Sequence, residues 1–189
     1  MKRIAILASG EGTNAENIIH YFKDNEEFQV RLVITNKANA GALVRARSQG
    51  VPCAYFASPL WKDGASILSF LQAEKIDFLV LAGFLTYIPD CVLRYYNRRM
   101  VNIHPSLLPR HGGKGMYGDK VHESVLRSGD KESGITIHYT TPEYDAGEII
   151  SQVKCEVKET DNVLSLASRV HSLEYYHYPR VIEHLLRTI

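Results

Sequence analysis

The sequence predicts an α/β fold: a mostly parallel, twisted sheet with helices on both faces and a last pair of strands that are partly antiparallel. Three observations carry this. Short apolar runs recur at Ile4–Ala8, Val30–Ile34, Phe78–Ala82 and Met100–Ile103. The segments between them place apolar residues at helical spacing, not in strict alternation. Beyond His104 the rhythm changes, first to a long Gly- and Pro-containing loop and then to two further strand-like runs. Strands covered by helices on both faces read as near-continuous apolar runs, and strand–helix alternation is the pattern of a parallel sheet.

Taken in order, Ile4–Ala8 is the first strand, and a Gly-containing loop follows it. A helix from about Ala15 to Phe22 presents Ile18, Ile19 and Phe22 on one face. Val30–Ile34 is the second strand, and Ala42–Gln49 is a helix that stops at Gly50. Cys53–Phe56 reads as a short third strand and Ser66–Glu74 as an amphipathic helix. Phe78–Ala82 has the composition of a central strand, Asp90–Tyr96 is helical, and Met100–Ile103 is the fifth strand. The loop His104–Lys120 precedes a helix near Val121–Arg127. Ile135–Tyr139 and Ile149–Val157 read as strands joined through Thr140–Glu148. Val163–Leu186 closes the chain as a long helix, with a bend expected near Pro179. No repeat or interdomain linker interrupts the series, so residues 1–189 read as a single domain.

Bulk composition narrows the function classes. The 22 basic and 21 acidic residues leave a net charge of +1, which gives no reason to expect a nucleic-acid partner. A small phosphorylated ligand needs only a local site. Cys53, Cys91 and Cys155 lie far apart without a C-x-x-C pair, so neither a zinc knuckle nor a redox pair is suggested. They read as reduced thiols of a cytoplasmic protein. No stretch approaches the roughly 18 to 20 apolar residues of a membrane span.

Two loops carry chemistry. Ser9-Gly-Glu-Gly-Thr-Asn-Ala15 lies between a strand and a helix. Glycines there let the backbone approach a ligand, and a helix start offers free N–H groups to an anion. A side chain at Gly12 is expected to fill the space that a phosphate needs. A dinucleotide would want an acidic residue about 20 positions on, yet the second strand ends in Thr35-Asn36-Lys37, which favours a single phosphate. The other reading of this loop is a tight turn without a ligand.

The second loop follows the fifth strand: Asn102-Ile-His-Pro-Ser-Leu-Leu-Pro109. Residues two apart in an extended chain share a face, so Asn102 and His104 point the same way. Pro105 holds His104 extended. An amide donor beside an imidazole suits acyl transfer, which needs a donor for the oxyanion and a proton carrier. An Asn and a His that merely cap a turn are the plainer reading. Asp145, in a turn between the last two strands, could support a nearby histidinium or be an ordinary turn residue before Ala146-Gly147. His138 is read either as a core-facing strand residue or as a partner of the site.

Together these segments resemble the phosphoribosylglycinamide formyltransferases, folate-dependent enzymes of purine synthesis. The matching residues are Ser9-Gly-x-Gly-Thr-Asn14, Ala82-Gly-Phe84, Asn102-x-His-Pro-Ser-Leu-Leu-Pro109, Ile137-His138 and Asp145-x-Gly147, with Arg169-Val170 and Glu174 in the last helix. The resemblance implies a formyltransferase-like variant of the Rossmann fold. It implies 10-formyltetrahydrofolate as co-substrate, 5-phosphoribosylglycinamide as acceptor, a tetrahedral intermediate and no metal. Gly12, Thr13 and Asn14 would hold the phosphate, and Glu174 the glycinamide end. Asn102, His104 and Asp145 would be the catalytic trio. Leu85, Thr86, Tyr87 and Ile88 would line the pterin pocket, with Asn102 also at the cofactor. A cis Leu108–Pro109 bond is a further expectation of the family.

Three departures from the family pattern stand out. Thr86 replaces an arginine common in bacterial relatives, with Lys62 as a substitute contact for the folate tail. The glycine-rich loop Arg110–Gly118 is unlike the commoner one and suggests a mobile cover with a basic tip. His171 stands where many relatives have Gln, at the substrate carboxamide. Methionyl-tRNA formyltransferase shares the Asn102–Pro109 motif but would need an RNA-binding domain and a basic surface. A formyltetrahydrofolate deformylase would carry an N-terminal regulatory domain, and a non-catalytic phosphoribosyl-binding protein would not need the trio. No membrane and no nucleic acid are expected as partners, and a homodimer is left open.

Overall fold

The computed structural model describes residues 1–189. Seven strands form one sheet in the order β3-β2-β1-β4-β5-β6-β7. They are β1 (Lys2–Leu7), β2 (Phe28–Thr35), β3 (Cys53–Tyr55), β4 (Phe78–Leu81), β5 (Met100–His104), β6 (Glu132–Tyr139) and β7 (Ile149–Glu156). β1 pairs in parallel with both β2 and β4, β2 pairs in parallel with β3, and β6 and β7 are antiparallel. The mostly parallel sheet with an antiparallel end is the one expected. The helices are α1 (Thr13–Phe22), α2 (Gly41–Ser48), α3 (Ala65–Ala73), α4 (Asp90–Tyr95), α5 (Asp119–Ser128) and α6 (Val163–Thr188).

The chain groups into two compact units. One comprises Met1–Val101 with Ile182–Ile189, the other Asn102–Val181. In the first unit β4 is buried at every position, as its unbroken Phe-Leu-Val-Leu run requires. α1 buries Ala15, Ile18, Ile19 and Phe22, the 3.6-residue stripe read from sequence. Trp61, Phe84, Ile88 and Tyr96 belong to a core with Ile67, Leu71 and Leu79. Trp61 arrives on a short 3₁₀ turn, Ser58–Trp61, for which the sequence carries no pattern. A single four-residue turn has too little periodicity to be seen as a pattern.

In the second unit β6 starts at Glu132, three residues before the expected Ile135. The extra residues, Glu-Ser-Gly, are weak strand formers, yet they find partners in Glu156, Cys155 and Lys154 of β7. Gly134 permits that pairing, because a Cβ there would stand 2.0 Å from the Val153 carbonyl oxygen. Asn162 caps α6: its Oδ1 accepts the Ser165 N–H at 3.0 Å, and the Ser165 hydroxyl accepts the Asn162 N–H at 3.0 Å. α6 runs on through the buried Pro179 as a single helix. Its buried residues Leu166, Val170, Glu174 and Tyr178 recur every fourth position, so one carboxylate lies on an otherwise apolar stripe.

Candidate active site

In the second unit, β5 delivers Asn102 and His104 from alternate positions with buried Ile103 between them. β6 delivers His138, and the turn before β7 delivers Asp145. His104 is buried and its Nδ1 lies 3.5 Å from Asp145 Oδ2. The Asn102 amide approaches His138 Nε2 at 3.2 Å. His138 Nε2 is in turn 3.7 Å from Asp145 Oδ1, beyond a hydrogen bond. The three residues expected to act together, Asn102, His104 and Asp145, are therefore linked, with His138 between the amide and the carboxylate.

Donor and acceptor roles follow from the partners. The Tyr139 carbonyl can only accept, so His138 Nδ1–H donates to it at 2.9 Å. Its Nε2 is then the acceptor for the Asn102 NH₂. Burial lowers the His138 pKa, the neutral form this arrangement needs, although the Tyr139 bond and the Asp145 charge work the other way. His104 Nε2–H donates to the His111 carbonyl at 2.8 Å.

Asp145 is held by its own backbone and by a loop. Its φ is +54°, in the left-handed region, and its Oδ2 accepts the Gly113 N–H at 2.8 Å. Two residues on, a Cβ at Gly147 would fall 1.7 Å from the Tyr139 carbonyl oxygen. Only glycine lets the turn pass that close, which is the physical content of the Asp145-x-Gly147 pair. Leu108–Pro109 is cis, as the resemblance implied. The Arg110–Gly118 loop, expected as a mobile cover, is tied at its middle by the Gly113–Asp145 bond and by a Met116 N–H to Gly113 carbonyl turn.

Further along the same unit, Glu174 is buried, and its Oε2 meets His171 Nδ1 at 2.8 Å. That hydrogen bond raises the His171 pKa against the effect of its partial burial. His171 stacks on Tyr175 and meets His122 edge-on. His122 is buried on α5 with its Nδ1 unsatisfied, and burial lowers its pKa. His122 belongs to no motif in the sequence. Its place beside Val121 on the apolar face of α5 was the available signal. Arg169 makes a two-pronged pair with Asp161 at 2.7 and 3.0 Å, which pins the turn before α6. That guanidinium holds the Asp161 carboxyl far below the usual carboxylate range.

In the first unit, Gly12 is the residue before α1 and has φ +78°. Thr13 and Asn14 open the helix, where N–H groups face outward. A Cβ at Gly12 would stand 2.4 Å from Ala42 Cα, so the missing side chain makes room for α2. The same unit holds the residues expected at the pterin. Leu85 and Tyr87 are exposed, whereas Ile88 is buried in the core. Thr86 Oγ1 accepts from the Asn36 amide. Asn36 Oδ1 accepts the Ser9 hydroxyl at 2.6 Å, and Ser9 Oγ accepts the Leu85 N–H at 2.9 Å. Thr86 thus closes a ring of hydrogen bonds with Asn36, Ser9 and the Leu85 N–H. Lys62 is exposed just after the 3₁₀ turn.

An amide, an imidazole and a carboxylate brought together on a sheet of this order offer the donor, proton carrier and countercharge that acyl transfer uses. The chain belongs to the formyl transferase family, whose model matches residues 2–182. It is 34% identical to the phosphoribosylglycinamide formyltransferase of Bacillus subtilis (strain 168), covering 98% of this chain and 95% of that one. It is 40% identical to the chloroplastic phosphoribosylglycinamide formyltransferase of Arabidopsis thaliana, covering 96% of this chain but spanning only 64% of that protein's length. Among solved structures, glycinamide ribonucleotide transformylase 1 from Symbiobacterium toebii matches with a TM-score of 0.90 at 32% identity, over 100% of this chain and 89% of that one.

Proposed function

We propose that this protein transfers the formyl group of 10-formyltetrahydrofolate to the amine of 5-phosphoribosylglycinamide, a step of purine biosynthesis. The observation that carries the reading is the linked set Asn102, His104 and Asp145, in a chain of this family.

The acceptor amine attacks the formyl carbon, and the carbonyl electrons move to oxygen. Asn102 and protonated His104 stabilise that oxygen in the tetrahedral intermediate. Asp145, 3.5 Å from His104 Nδ1, holds the imidazole in place and faces it with a countercharge. The attacking nitrogen loses a proton, the folate nitrogen gains one and leaves, and the formyl group stays on the acceptor. Asp145 helps order the water through which the proton passes. Gly12, Thr13 and Asn14 bind the phosphate through the start of α1. Glu174 and His171 read the glycinamide end. Leu85, Thr86, Tyr87 and Ile88 meet the pterin through backbone groups, with Lys62 toward the tail. The chemistry assigned to these residues uses no metal.

No helix is long and apolar enough to cross a membrane. The three free cysteines fit a reducing compartment, for which we propose the cytoplasm.

The test is release of tetrahydrofolate from 10-formyltetrahydrofolate with and without the phosphoribosyl amine. Release only with the amine, and formylated amine in equal amount, is the expected result. Release without it, together with free formate, would mean a hydrolase. No release in either case would mean a binding protein.

A further inference from the structure

We propose that His111 is a positioning residue for His104, and that Asp130 and Ser124 fix it in that role. The proposal rests on the reading above that His104 takes part in formyl transfer.

Four residues other than glycine have positive φ: Lys75, Arg98, His111 and Asp145. Two of these flank His104. Asp145 faces its Nδ1, and the His111 carbonyl accepts from its Nε2 at 2.8 Å. Side chains rarely adopt this backbone region, and such residues persist only where the surroundings hold them. For His111 the holding groups can be named. Its Nε2–H donates to Asp130 Oδ2 at 2.9 Å, and its Nδ1 meets the Ser124 hydroxyl at 2.9 Å. Arg110 steadies the same Asp130 oxygen at 3.1 Å, and the Arg110 carbonyl accepts the Ser106 hydroxyl at 2.7 Å. The His111 side chain is 12% exposed, so its bonds are largely shielded from competing water.

The loop needs such an anchor. Gly112 and Gly113 follow His111, and glycines have no side chain with which to hold a backbone. The His111 ring is thus the handle by which the loop places one carbonyl oxygen. That oxygen matters because a carbonyl can only accept, which keeps a proton on His104 Nε2. With the Asp145 carboxylate 3.5 Å from Nδ1 on the other side, the ring is held between two acceptors. His111 and Asp145 together fix the position and plane of the His104 ring in the site. Without the anchor the carbonyl moves, and the His104 ring loses its fixed position. Interactions made only in the transition state act on kcat and not on ground-state binding.

The test compares His111→Gly with His111→Gln. Glycine accepts the backbone conformation but removes the anchor, whereas glutamine offers an amide donor to Asp130. We expect His111→Gly to lower kcat roughly tenfold, short of the 100-fold that a misplacement of about 1 Å can cost. KM values for both substrates should stay within about twofold. His111→Gln should recover most of the loss. In parallel, ¹⁵N NMR of the imidazoles should show His104 Nε2 hydrogen-bonded in the wild type and altered in His111→Gly. A kcat within about twofold of wild type, a loss confined to KM, or glutamine no better than glycine overturns the proposal. Should His111→Gly not fold, Asp130→Ala carries the same expectations. A wild type without formyl transfer sinks the functional reading instead, and the NMR comparison then decides the positioning by itself.

Discussion

Replacing Asp145 with asparagine separates charge from shape. Asparagine matches the size of aspartate and keeps one oxygen for the Gly113 N–H, which Asp145 now accepts at 2.8 Å. The charge opposite His104 is lost. The carboxylate and the ring nitrogen stand 3.5 Å apart, with side chains 12% and 5% exposed, so water screens the pair little. At that distance two unit charges interact by roughly 5 kcal/mol with an effective dielectric of about 20. The separation exceeds that of a good charged hydrogen bond, usually about 2.7–2.9 Å, so less than the full Coulomb figure should appear in the rate. We expect kcat to fall about 100- to 1000-fold, equivalent to about 2.7–4 kcal/mol, with the KM of the phosphorylated substrate nearly unchanged. The assay is single-turnover formyl transfer, followed by the folate product. The double mutant with His104→Ala should be little worse than the worse single mutant, since residues acting as one unit are non-additive. A rate within about threefold of wild type would make Asp145 only a turn residue and refute its place in the trio.

Three further predictions concern the framework. Gly147→Ala forces a Cβ to within 1.7 Å of the Tyr139 carbonyl oxygen, so a loss above about 4 kcal/mol is expected in urea titration; a loss below about 1 kcal/mol would show that the turn before β7 yields freely. Gly12→Ala should destabilise by about 2–4 kcal/mol through Ala42 of α2 and the φ of +78°, and an unchanged urea midpoint would return that space to the ligand. His171→Gln tests the contact with Glu174. The His171 pKa is raised in the fold, so its stabilising effect is complete below the unfolded value of about 6.5 and fades as pH rises through the raised value. The gap in Tm between wild type and variant should therefore be widest at acid pH and close toward alkaline pH; a gap independent of pH would mean that the histidine charge plays no part.

Periodicity and local chemistry determined much of this protein by themselves. The apolar runs gave the strands, because a strand buried on both faces has no polar position to spare. The stripe Ile18, Ile19 and Phe22 gave the buried face of α1. The two-residue spacing of Asn102 and His104 put both on one side of β5, a consequence of strand geometry that needs no tertiary information. Edges were less legible. The start of β6 at Glu132 depends on partners in β7 and not on the propensity of Glu-Ser-Gly.

Tertiary structure decided the rest, for a common physical reason: it lies in contacts between residues distant in the chain. The Gly12 sequence reads as a ligand loop, and only the packed fold shows that its missing side chain makes way for Ala42. Ile88 reads as an apolar residue of a loop, and only the packed fold shows that it joins the core that holds Trp61 and Phe84. His111 has no periodic signature at all. Its meaning comes from Asp130, 19 residues on, and from a carbonyl that meets His104 seven residues back. Local sequence fixes which groups a segment can offer; which of them meet is set by how the chain packs.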